Sequence, residues 1–334
     1  METVRRACSA EASVGSAPPT PSSRRRAVID VGTNSIKLLV ADVRGRDVSP
    51  VHEESRQTRL GKGFYESNRL QPEAIARTAE AVAEFAKTAR NEHAVSVRVI
   101  ATSAARDAVN AGELTAAITR ASSLKVEIIS GGQEAEWTFQ GVTTDKELAN
   151  APLLLLDVGG GSTEFILGQG DQKHLAHSFP LGTVRLLEKF PPSDPPARGE
   201  FLACRDWLKH FLQTEVRPKF AAALHREALA KSGAIQLVGT GGTTSILARI
   251  ELKLERFDRD RIEAARLSLA QVKAHRKQLW SLPLAGRKEI TGLPKLRADV
   301  ILTGVIIYEA VMEEFGFQQL RVSTRGLRFA AVMD

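Results

Sequence analysis

Residues 153–167 read LLLLDVGGGSTEFIL, and this stretch organises the rest of the chain. Four bulky apolar residues in succession are typical of a strand that is buried on both faces. The three glycines that follow permit a sharp turn and let a ligand approach the backbone closely. A second apolar run comes after the turn, so the stretch predicts a strand, a tight turn and a second strand.

The polar residues of this stretch indicate a phosphate site. Successive N–H groups of a glycine turn can form a nest that binds an anion. Asp157 and Glu164 flank the turn and could hold a cation, directly or through water. A phosphate group with its Mg²⁺ is the ligand that suits both features. The phosphate-binding residues expected here are Gly160, Gly161, Ser162 and Thr163.

A second copy of the pattern lies near the start of the chain. Residues 27–42 read AVIDVGTNSIKLLVAD, again an apolar run, an aspartate, a glycine turn and an apolar run. Two such copies predict two halves that are built alike, each with a phosphate-binding hairpin. Asp30 is equivalent to Asp157, and we therefore count it as a third candidate metal ligand. The phosphate-binding residues expected in this copy are Gly32, Thr33, Asn34 and Ser35.

A third glycine turn occurs later, where residues 235–248 read IQLVGTGGTTSILA. This pattern predicts a strand, a glycine turn and a helix. A helix N-terminus offers free N–H groups to an anion, so the turn adds further candidates for phosphate binding. These candidates are Gly241, Gly242 and Thr243.

The remaining sequence alternates predicted strands and helices, which is typical of an α/β protein. A helix that starts at Pro72 fits residues 72–91, and short strands fit residues 97–101 and 126–129. Ser130 and Gln133 fit a capping box, which would place Glu134 in the first turn of a helix. Residues 200–230 predict one long helical stretch with a possible break at Pro218, and a further helix fits residues 296–315.

Composition limits the class of protein. The chain has 334 residues, 43% of them hydrophobic and 25% charged, which suits two soluble globular domains. No apolar run is long enough to span a membrane, and two cysteines make neither a disulfide framework nor a metal site, so we expect a cytoplasmic protein. Residues 1–26, rich in Ala, Ser, Pro and Arg, predict a disordered tail. The net charge of +7 favours an anionic partner, but we expect neither a nucleic acid nor a membrane.

Several phosphate-binding and catalytic motifs are absent from the sequence. There is no Gly-x-x-x-x-Gly-Lys-Ser/Thr, which excludes a P-loop protein. There is no Gly-x-Gly-x-x-Gly in a βαβ unit and no Gly-x-Ser-x-Gly elbow, so neither a dinucleotide fold nor a nucleophile elbow is expected.

The motifs, in their order, resemble those of the Ppx/GppA family of exopolyphosphatases and guanosine pentaphosphate phosphohydrolases. The matching stretches are residues 30–35 (DVGTNS), 129–135 (ISGGQEA), 157–164 (DVGGGSTE), 239–243 (GTGGT), 296–302 (LRADVIL) and 322–328 (VSTRGLR). The resemblance implies two ribonuclease-H-like domains of the actin-like ATPase superfamily around a central cleft. It matches the short form of the family, with one domain over residues 27–130 and a second over residues 131–334, whose last helix packs back on the first domain.

The resemblance also implies roles for individual residues. Glu134 matches the glutamate that orients and deprotonates the attacking water, and Arg106 matches a position near the bound phosphates. Asp157 and Glu164 match the carboxylates associated with Mg²⁺. From the residues alone, Glu134 could instead be a partner of the helix dipole, and Arg106 could be a solvated side chain.

The expected activity is Mg²⁺-dependent release of orthophosphate from the ends of inorganic polyphosphate. Alternatives are a guanosine pentaphosphate 5′-phosphohydrolase and a sensor that binds polyphosphate or guanosine tetra- and pentaphosphate without turnover. An ATP-dependent kinase of the same superfamily is a further alternative. By analogy with the family, we expect a homodimer.

Overall fold

The first sheet is formed by the N-terminal part of the computed structural model, which describes residues 23–229 and 234–334. Its strands run in the order β3-β2-β1-β4-β5, with β1 antiparallel to β2 and parallel to β4. The elements of this half are β1 (Arg24–Val31), β2 (Ile36–Arg44), β3 (Asp47–Arg56), α1 (Pro72–Asn91), β4 (Ser96–Ala101), α2 (Ser103–Asp107), α3 (Ala111–Ser122) and β5 (Val126–Ile128).

One helix, α4 (Gly131–Val142), connects the first sheet to the second. Trp137 on one face of the helix belongs to an apolar cluster with the first sheet. Ala135 and Phe139 on another face belong to a cluster with strands of the second sheet. Because α4 is held from both sides, its first turn is fixed between the two halves of the molecule.

The second sheet has six strands and continues the α/β alternation. Its elements are β6 (Leu153–Val158), β7 (Thr163–Gln169), β8 (Gln172–Phe179), α5 (Thr183–Lys189), α6 (Arg198–Phe211), a π-helical turn (Leu212–Val216), α7 (Arg217–Leu229), β9 (Gln236–Thr240), α8 (Gly242–Glu251), α9 (Arg259–Ala264), β10 (Arg266–Ser268), α10 (Leu269–Ser281), α11 (Leu284–Arg287), a 3₁₀ turn (Lys295–Arg297), α12 (Ile301–Phe315), β11 (Gln319–Val322) and α13 (Leu327–Ala331). The strand order is β10-β11-β9-β6-β7-β8.

The two sheets repeat one topology. In each half an antiparallel hairpin is flanked by a third strand on one side and by a parallel strand on the other: β3-β2-β1-β4 in the first sheet and β8-β7-β6-β9 in the second. The α/β class predicted from the sequence is therefore confirmed, and so are the two hairpins at the two glycine turns.

The cores explain why these elements form. Helix α1 buries Ile75, Val82 and Phe85 against the first sheet. A fully buried side chain of this size contributes about 1.5–3 kcal/mol. The opposite face of the first sheet is covered by α4 and by α13, whose Phe329 and Leu327 pack beside Val28 and Leu39. In the second half, α12 is apolar on nearly every side because other helices surround it.

Two predicted boundaries need correction. The predicted tail extends three residues too far, because Arg24–Arg26 belong to β1, where Arg25 forms an ion pair with Asp42 at 2.8 Å. Residues 1–22 of that tail lie outside the described residues. The long helical stretch is interrupted by the π-helical turn that ends at Val216, before Pro218, which lies in the first turn of α7 where a proline is tolerated.

Within the described ranges, no helix is both long and apolar enough to cross a lipid bilayer.

Candidate active site

Glu134 lies in the first turn of α4, as the capping signal predicts. The Ser130 hydroxyl accepts a hydrogen bond from the Gln133 N–H at 3.1 Å, which starts the helix at this point. Glu134 is only 7% exposed, and its carboxylate faces a cleft between the two glycine turns. A buried carboxylate needs a charged or hydrogen-bonding partner, and Arg106 supplies one.

Arg106, at the end of α2, holds the Glu134 carboxylate. Its Nη1 lies 3.1 Å from Glu134 Oε2 and also donates to the Ile129 carbonyl at 3.0 Å. Burial raises the pKa of Glu134 well above its usual value, and the Glu164 carboxylate raises it further, while Arg106 opposes both effects. A carboxylate whose pKa is raised in this way is suited to accept a proton near neutral pH.

The second hairpin places two carboxylates opposite each other. Asp157 on β6 and Glu164 on β7 are direct cross-strand neighbours. The Ser178 hydroxyl donates to Glu164 at 2.7 Å, and the Thr138 hydroxyl donates to Asp157 at 3.4 Å. Burial and the neighbouring Asp157 raise the pKa of Glu164 to about 7. The pKa of Asp157 is also raised, chiefly by burial. Lys37 acts on Asp157 and Arg106 acts on Glu164, but the pKa values of both carboxyl groups remain raised, so the pair favours a further cation.

The first hairpin pairs Asp30 with a cation instead. Asp30 on β1 and Lys37 on β2 are cross-strand neighbours. Burial raises the pKa of Asp30 and lowers that of Lys37, and each group partly offsets the shift of the other. Asp30 Oδ1 is buried and has no hydrogen-bond partner among the residues described. Lys37 lines the cleft and lies close enough to Asp157 to interact with it as well.

The two glycine turns present unused donors to the cleft. Each turn is closed by a single backbone hydrogen bond, from Gly32 N–H to the Ser35 carbonyl at 3.1 Å and from Gly159 N–H to the Ser162 carbonyl at 3.0 Å. The N–H groups inside the turns have no acceptor within the described part of the chain, and neither does the buried Asn34 amide nitrogen. An anion between the turns would satisfy these donors.

The third glycine turn joins the same cleft from the second half. Gly241 has φ +91°, and a Cβ at this position would lie 2.7 Å from Asp157 Oδ1, so only glycine fits. Helix α8 begins directly after it. Arg297 donates from Nη2 to the Ser35 hydroxyl at 2.9 Å, and burial lowers its pKa to about 10, so it stays protonated at neutral pH.

Most of the residues predicted from the sequence meet in this one cleft. Asp30, Glu134, Asp157 and Glu164 all line it. Nine of the eleven predicted phosphate-binding residues also line it: Gly32, Thr33, Asn34, Ser35, Gly160, Gly161, Ser162, Gly242 and Thr243. Arg106 is not in the lining and reaches the site through Glu134.

Two predicted phosphate-binding residues lie elsewhere. Thr163 is outside the cleft lining: its side chain is buried and its hydroxyl donates to the Leu181 carbonyl at 2.5 Å, and its role in phosphate binding stays a prediction. Gly241 lines an adjoining, wider cavity of about 690 Å³, which shares Asp30, Asp157 and Arg297 with the cleft.

The acidic residues suit a magnesium ion that also binds its substrate. Across the described part of the chain, no three His, Cys, Asp or Glu side chains cluster so as to hold a metal ion by themselves. Mg²⁺ commonly binds through one or two carboxylates together with water and substrate phosphates. The neighbouring carboxylates of Asp157 and Glu164 fit that mode. Lys37 and Arg328 lie near both Asp30 and Asp157.

Several side chains of the site were not identified from the sequence. Ser178 and Thr138 hold the two carboxylates of the second hairpin. Arg328 is buried near Asp30 and Asp157 and donates to the Leu38 carbonyl at 2.9 Å. Arg328 stands in the matching stretch of residues 322–328, where no role was assigned to it. No local pattern marks Ser178 and Thr138, because they approach the carboxylates only when distant strands and helices come together.

Two topologically alike domains that face a phosphate-binding cleft define the actin-like class of phosphotransfer proteins. Comparison with known proteins supports this class and identifies the family. The family model of the Ppx/GppA phosphatase family matches residues 39–333. Exopolyphosphatase 2 of Mycobacterium tuberculosis is 36% identical over 313 residues, which cover 90% of this chain and 94% of that protein.

Solved structures of the same family are similar to this protein over most of its length. The Ppx/GppA enzyme of Aquifex aeolicus superposes with a TM-score of 0.73 at 30% identity, covering 93% of this chain and 99% of that one. An exopolyphosphatase of Cytophaga hutchinsonii superposes with a TM-score of 0.81 at 29% identity, covering 92% and 96%.

The chain belongs to the Ppx/GppA phosphatase family and is a hydrolase of that family. The predicted actin-like fold of two domains is confirmed as well.

Proposed function

We propose that the protein is a Mg²⁺-dependent exopolyphosphatase, which hydrolyses the terminal phosphoanhydride bond of inorganic polyphosphate and releases orthophosphate. The observation that carries the proposal is the position of Glu134. It is a buried carboxylate with a raised pKa, and it faces a cleft into which two turns direct unused N–H donors. The similarity to Exopolyphosphatase 2 of M. tuberculosis supports polyphosphate as the substrate class.

The two glycine turns and the cationic side chains of the cleft would bind the end of the polyphosphate chain. The N–H groups of both turns and the Asn34 amide can donate to the non-bridging oxygens of the terminal phosphates. Lys37 and Arg297 place positive charge beside them. Phosphoryl transfer gains most of its acceleration from this kind of positioning and charge stabilisation.

Glu134 would act on the attacking water. The water oxygen forms a bond to the terminal phosphorus, the bridging P–O bond breaks, and Glu134 accepts the proton of the water. The ion pair with Arg106 holds the carboxylate in one orientation during this step.

Asp157 and Glu164 would hold the magnesium ion together with the phosphates. When bound, Mg²⁺ neutralises negative charge on the phosphates and on the departing chain. The cross-strand pairing of these two buried carboxylates supports this assignment.

The test is phosphate release from polyphosphate with Mg²⁺ by the wild-type protein and by Glu134→Gln. Loss of the general base should lower kcat on the order of 10²- to 10⁴-fold. Glu136→Gln is the matched control, because Glu136 lies on the same helix but outside the cleft. Its carboxylate forms an ion pair with Lys173, with an N–O distance of 2.5 Å. Unchanged turnover in Glu134→Gln would show that the proposed base is wrong.

A specific observation supports guanosine pentaphosphate as a second candidate substrate. The wider cavity next to the cleft includes Phe257, which is 51% exposed, and the Arg259 guanidinium carbon lies 5.7 Å from the centroid of its ring. An exposed aromatic ring beside a cation can stack with a nucleobase. Comparing guanosine pentaphosphate, ATP and polyphosphates of several lengths in one phosphate-release assay separates these substrates. Tight binding of polyphosphate or guanosine tetraphosphate without turnover would support a sensor.

The homodimer and the cytoplasmic location stay predictions, and sedimentation and cell fractionation would test them.

A further inference from the structure

The segment between β3 and α1, residues 57–71, crosses from the first half of the molecule to the second. The Glu188 carboxylate on α5 accepts backbone hydrogen bonds from Gly63 at 2.6 Å and from Tyr65 at 3.3 Å. These two contacts fix the segment next to the phosphate turn of the second hairpin.

Arg185, also on α5, links Tyr65 to that turn. Its guanidinium carbon lies 4.1 Å from the centroid of the Tyr65 ring, a cation–π contact. Its Nε donates to the Gly161 carbonyl at 2.9 Å. The orientation of the Tyr65 ring is therefore set by the same side chain that holds the turn.

Hydroxyl groups converge around Gly161. A Cβ added to Gly161 would lie 2.4 Å from both Tyr65 Oη and Ser103 Oγ, and 3.0 Å from Thr33 Oγ1. The oxygens of Tyr65 and Ser103 are buried, and neither makes a hydrogen bond of ordinary geometry within residues 23–229 and 234–334, although the Thr33 hydroxyl is within reach of the Tyr65 oxygen. Tyr65 is outside the cleft lining and meets it at Gly161, which is part of the lining. Leaving a buried polar group unpaired costs about 1–3 kcal/mol, so two such groups beside a phosphate turn indicate a missing ligand.

The chemistry of the two hydroxyls points to an anion. Both can donate a hydrogen bond to an oxygen. Burial raises the pKa of Tyr65 to about 12, so its phenol keeps its proton at neutral pH. Ser103 is 3% exposed and lines the cleft beside Gly161 and Thr33.

We propose that the hydroxyls of Tyr65 and Ser103 bind the terminal phosphate of the substrate above the Gly161 turn, so that the segment of residues 57–71 completes the active site. This inference rests on the proposed function, because it takes the ligand of the cleft to be a phosphate chain. Tyr65 contributes its hydroxyl, while Arg185 and Glu188 act as positioning residues.

Conservative variants separate the hydroxyl from the ring. Tyr65→Phe keeps the ring and its contact with Arg185, and Ser103→Ala removes only one oxygen. Thr58→Val is the matched control. The Thr58 hydroxyl lies on the same segment and is also buried and without a partner among the described residues, but it is not among the three atoms nearest the Gly161 position. Thermal unfolding of each variant checks that the fold is intact.

The first measurement is binding of tripolyphosphate with Mg²⁺ by calorimetry, in a Glu134→Gln background that prevents turnover. Loss of one hydrogen bond to a charged group should weaken binding by about 10- to 100-fold in Tyr65→Phe and in Ser103→Ala. Thr58→Val should bind tripolyphosphate as tightly as the Glu134→Gln protein does. The second measurement, kcat/KM for polyphosphate in the same variants with Glu134 intact, should fall by a similar factor.

The outcomes distinguish the two proposals. If tripolyphosphate binding and kcat/KM are unchanged in both hydroxyl variants, this inference is overturned and the proposed function is untouched. If the wild-type protein releases no phosphate from polyphosphate, the proposed function fails, whereas weaker tripolyphosphate binding in both variants would still support the hydroxyl pair as a phosphate site.

Discussion

The two hairpins share one backbone plan but differ in charge at a single equivalent position. In the first, Asp30 faces Lys37 across the strands, and in the second, Asp157 faces Glu164. In both cases the partner follows the aspartate by seven residues and lies on the strand after the glycine turn. A duplicated scaffold thus supplies one aspartate with a cation of its own and leaves the other beside a second carboxylate.

This difference in charge suits the two hairpins to different ligands. The first hairpin sets a carboxylate and an amine on cross-strand neighbouring positions, and its remaining donors are free to bind phosphate. The second hairpin concentrates negative charge, which is stable only if a cation or a proton joins it. This difference in charge would explain how two halves of like topology form one site that binds both an anion and a metal ion.

The largest effect is expected when the second hairpin is given the charge of the first. Glu164→Lys should lower Mg²⁺-supported phosphate release on the order of 10³-fold, since a metal ion stabilises the transition state by several kcal/mol. Steady-state kinetics across a Mg²⁺ titration measures the effect. Glu164→Gln is the control of similar size, and circular dichroism reports the fold. Activity above a tenth of wild type in Glu164→Lys would mean that Glu164 does not serve the metal.

A smaller effect is expected when the first hairpin loses its cation. Lys37→Met should lower kcat/KM for polyphosphate by about 10- to 100-fold, because a charged contact to the phosphates is removed. It should also lower the free energy of unfolding, because Asp30 is left buried without its partner. Lys37→Arg, which retains the charge, should restore most of the activity. Equal losses in the two variants would point to packing rather than charge.

The smallest effect is expected at Thr163, whose hydroxyl bonds within the fold and whose side chain does not line the cleft. Its equivalent in the first hairpin is Ile36, a buried apolar residue, as the strand registers show. Thr163→Val should cost about 1–2 kcal/mol in urea unfolding, because the Leu181 carbonyl loses its donor. Since no contact with substrate is lost, we expect kcat/KM to stay within about twofold of wild type. If kcat/KM falls by more than the loss of stability can explain, Thr163 contributes to substrate binding.

Local patterns predicted the parts of the fold that depend on local physics. The paired glycine turns gave both hairpins, and the residues 72–91 predicted as a helix coincide with α1. The cap at Ser130 placed Glu134 in a first helical turn. Strand β3 was not predicted, because it lies at the edge of the sheet and is rich in polar residues. The alternation of apolar residues that marks a strand is weak there.

Contacts between distant elements account for what was missed at the site. Nothing in the sequence showed that Lys37 and Arg297 would both face the cleft. The direction of the Thr163 side chain follows from its position on β7, since neighbouring residues of a strand point to opposite faces. Tyr65 lies in a segment without regular periodicity, so its approach to Gly161 depends on α5, more than a hundred residues further along the chain.

Helix α13 has a consequence for how this protein matures on the ribosome. Leu327 and Phe329 cover a face of the first sheet that is made by Val28 and Leu39, from the opposite end of the sequence. During synthesis that apolar face is complete long before its cover exists, and exposed apolar surface on nascent chains promotes aggregation. The first half therefore reaches its finished core only after the second half has been translated, so assembly of the cleft and completion of the chain coincide.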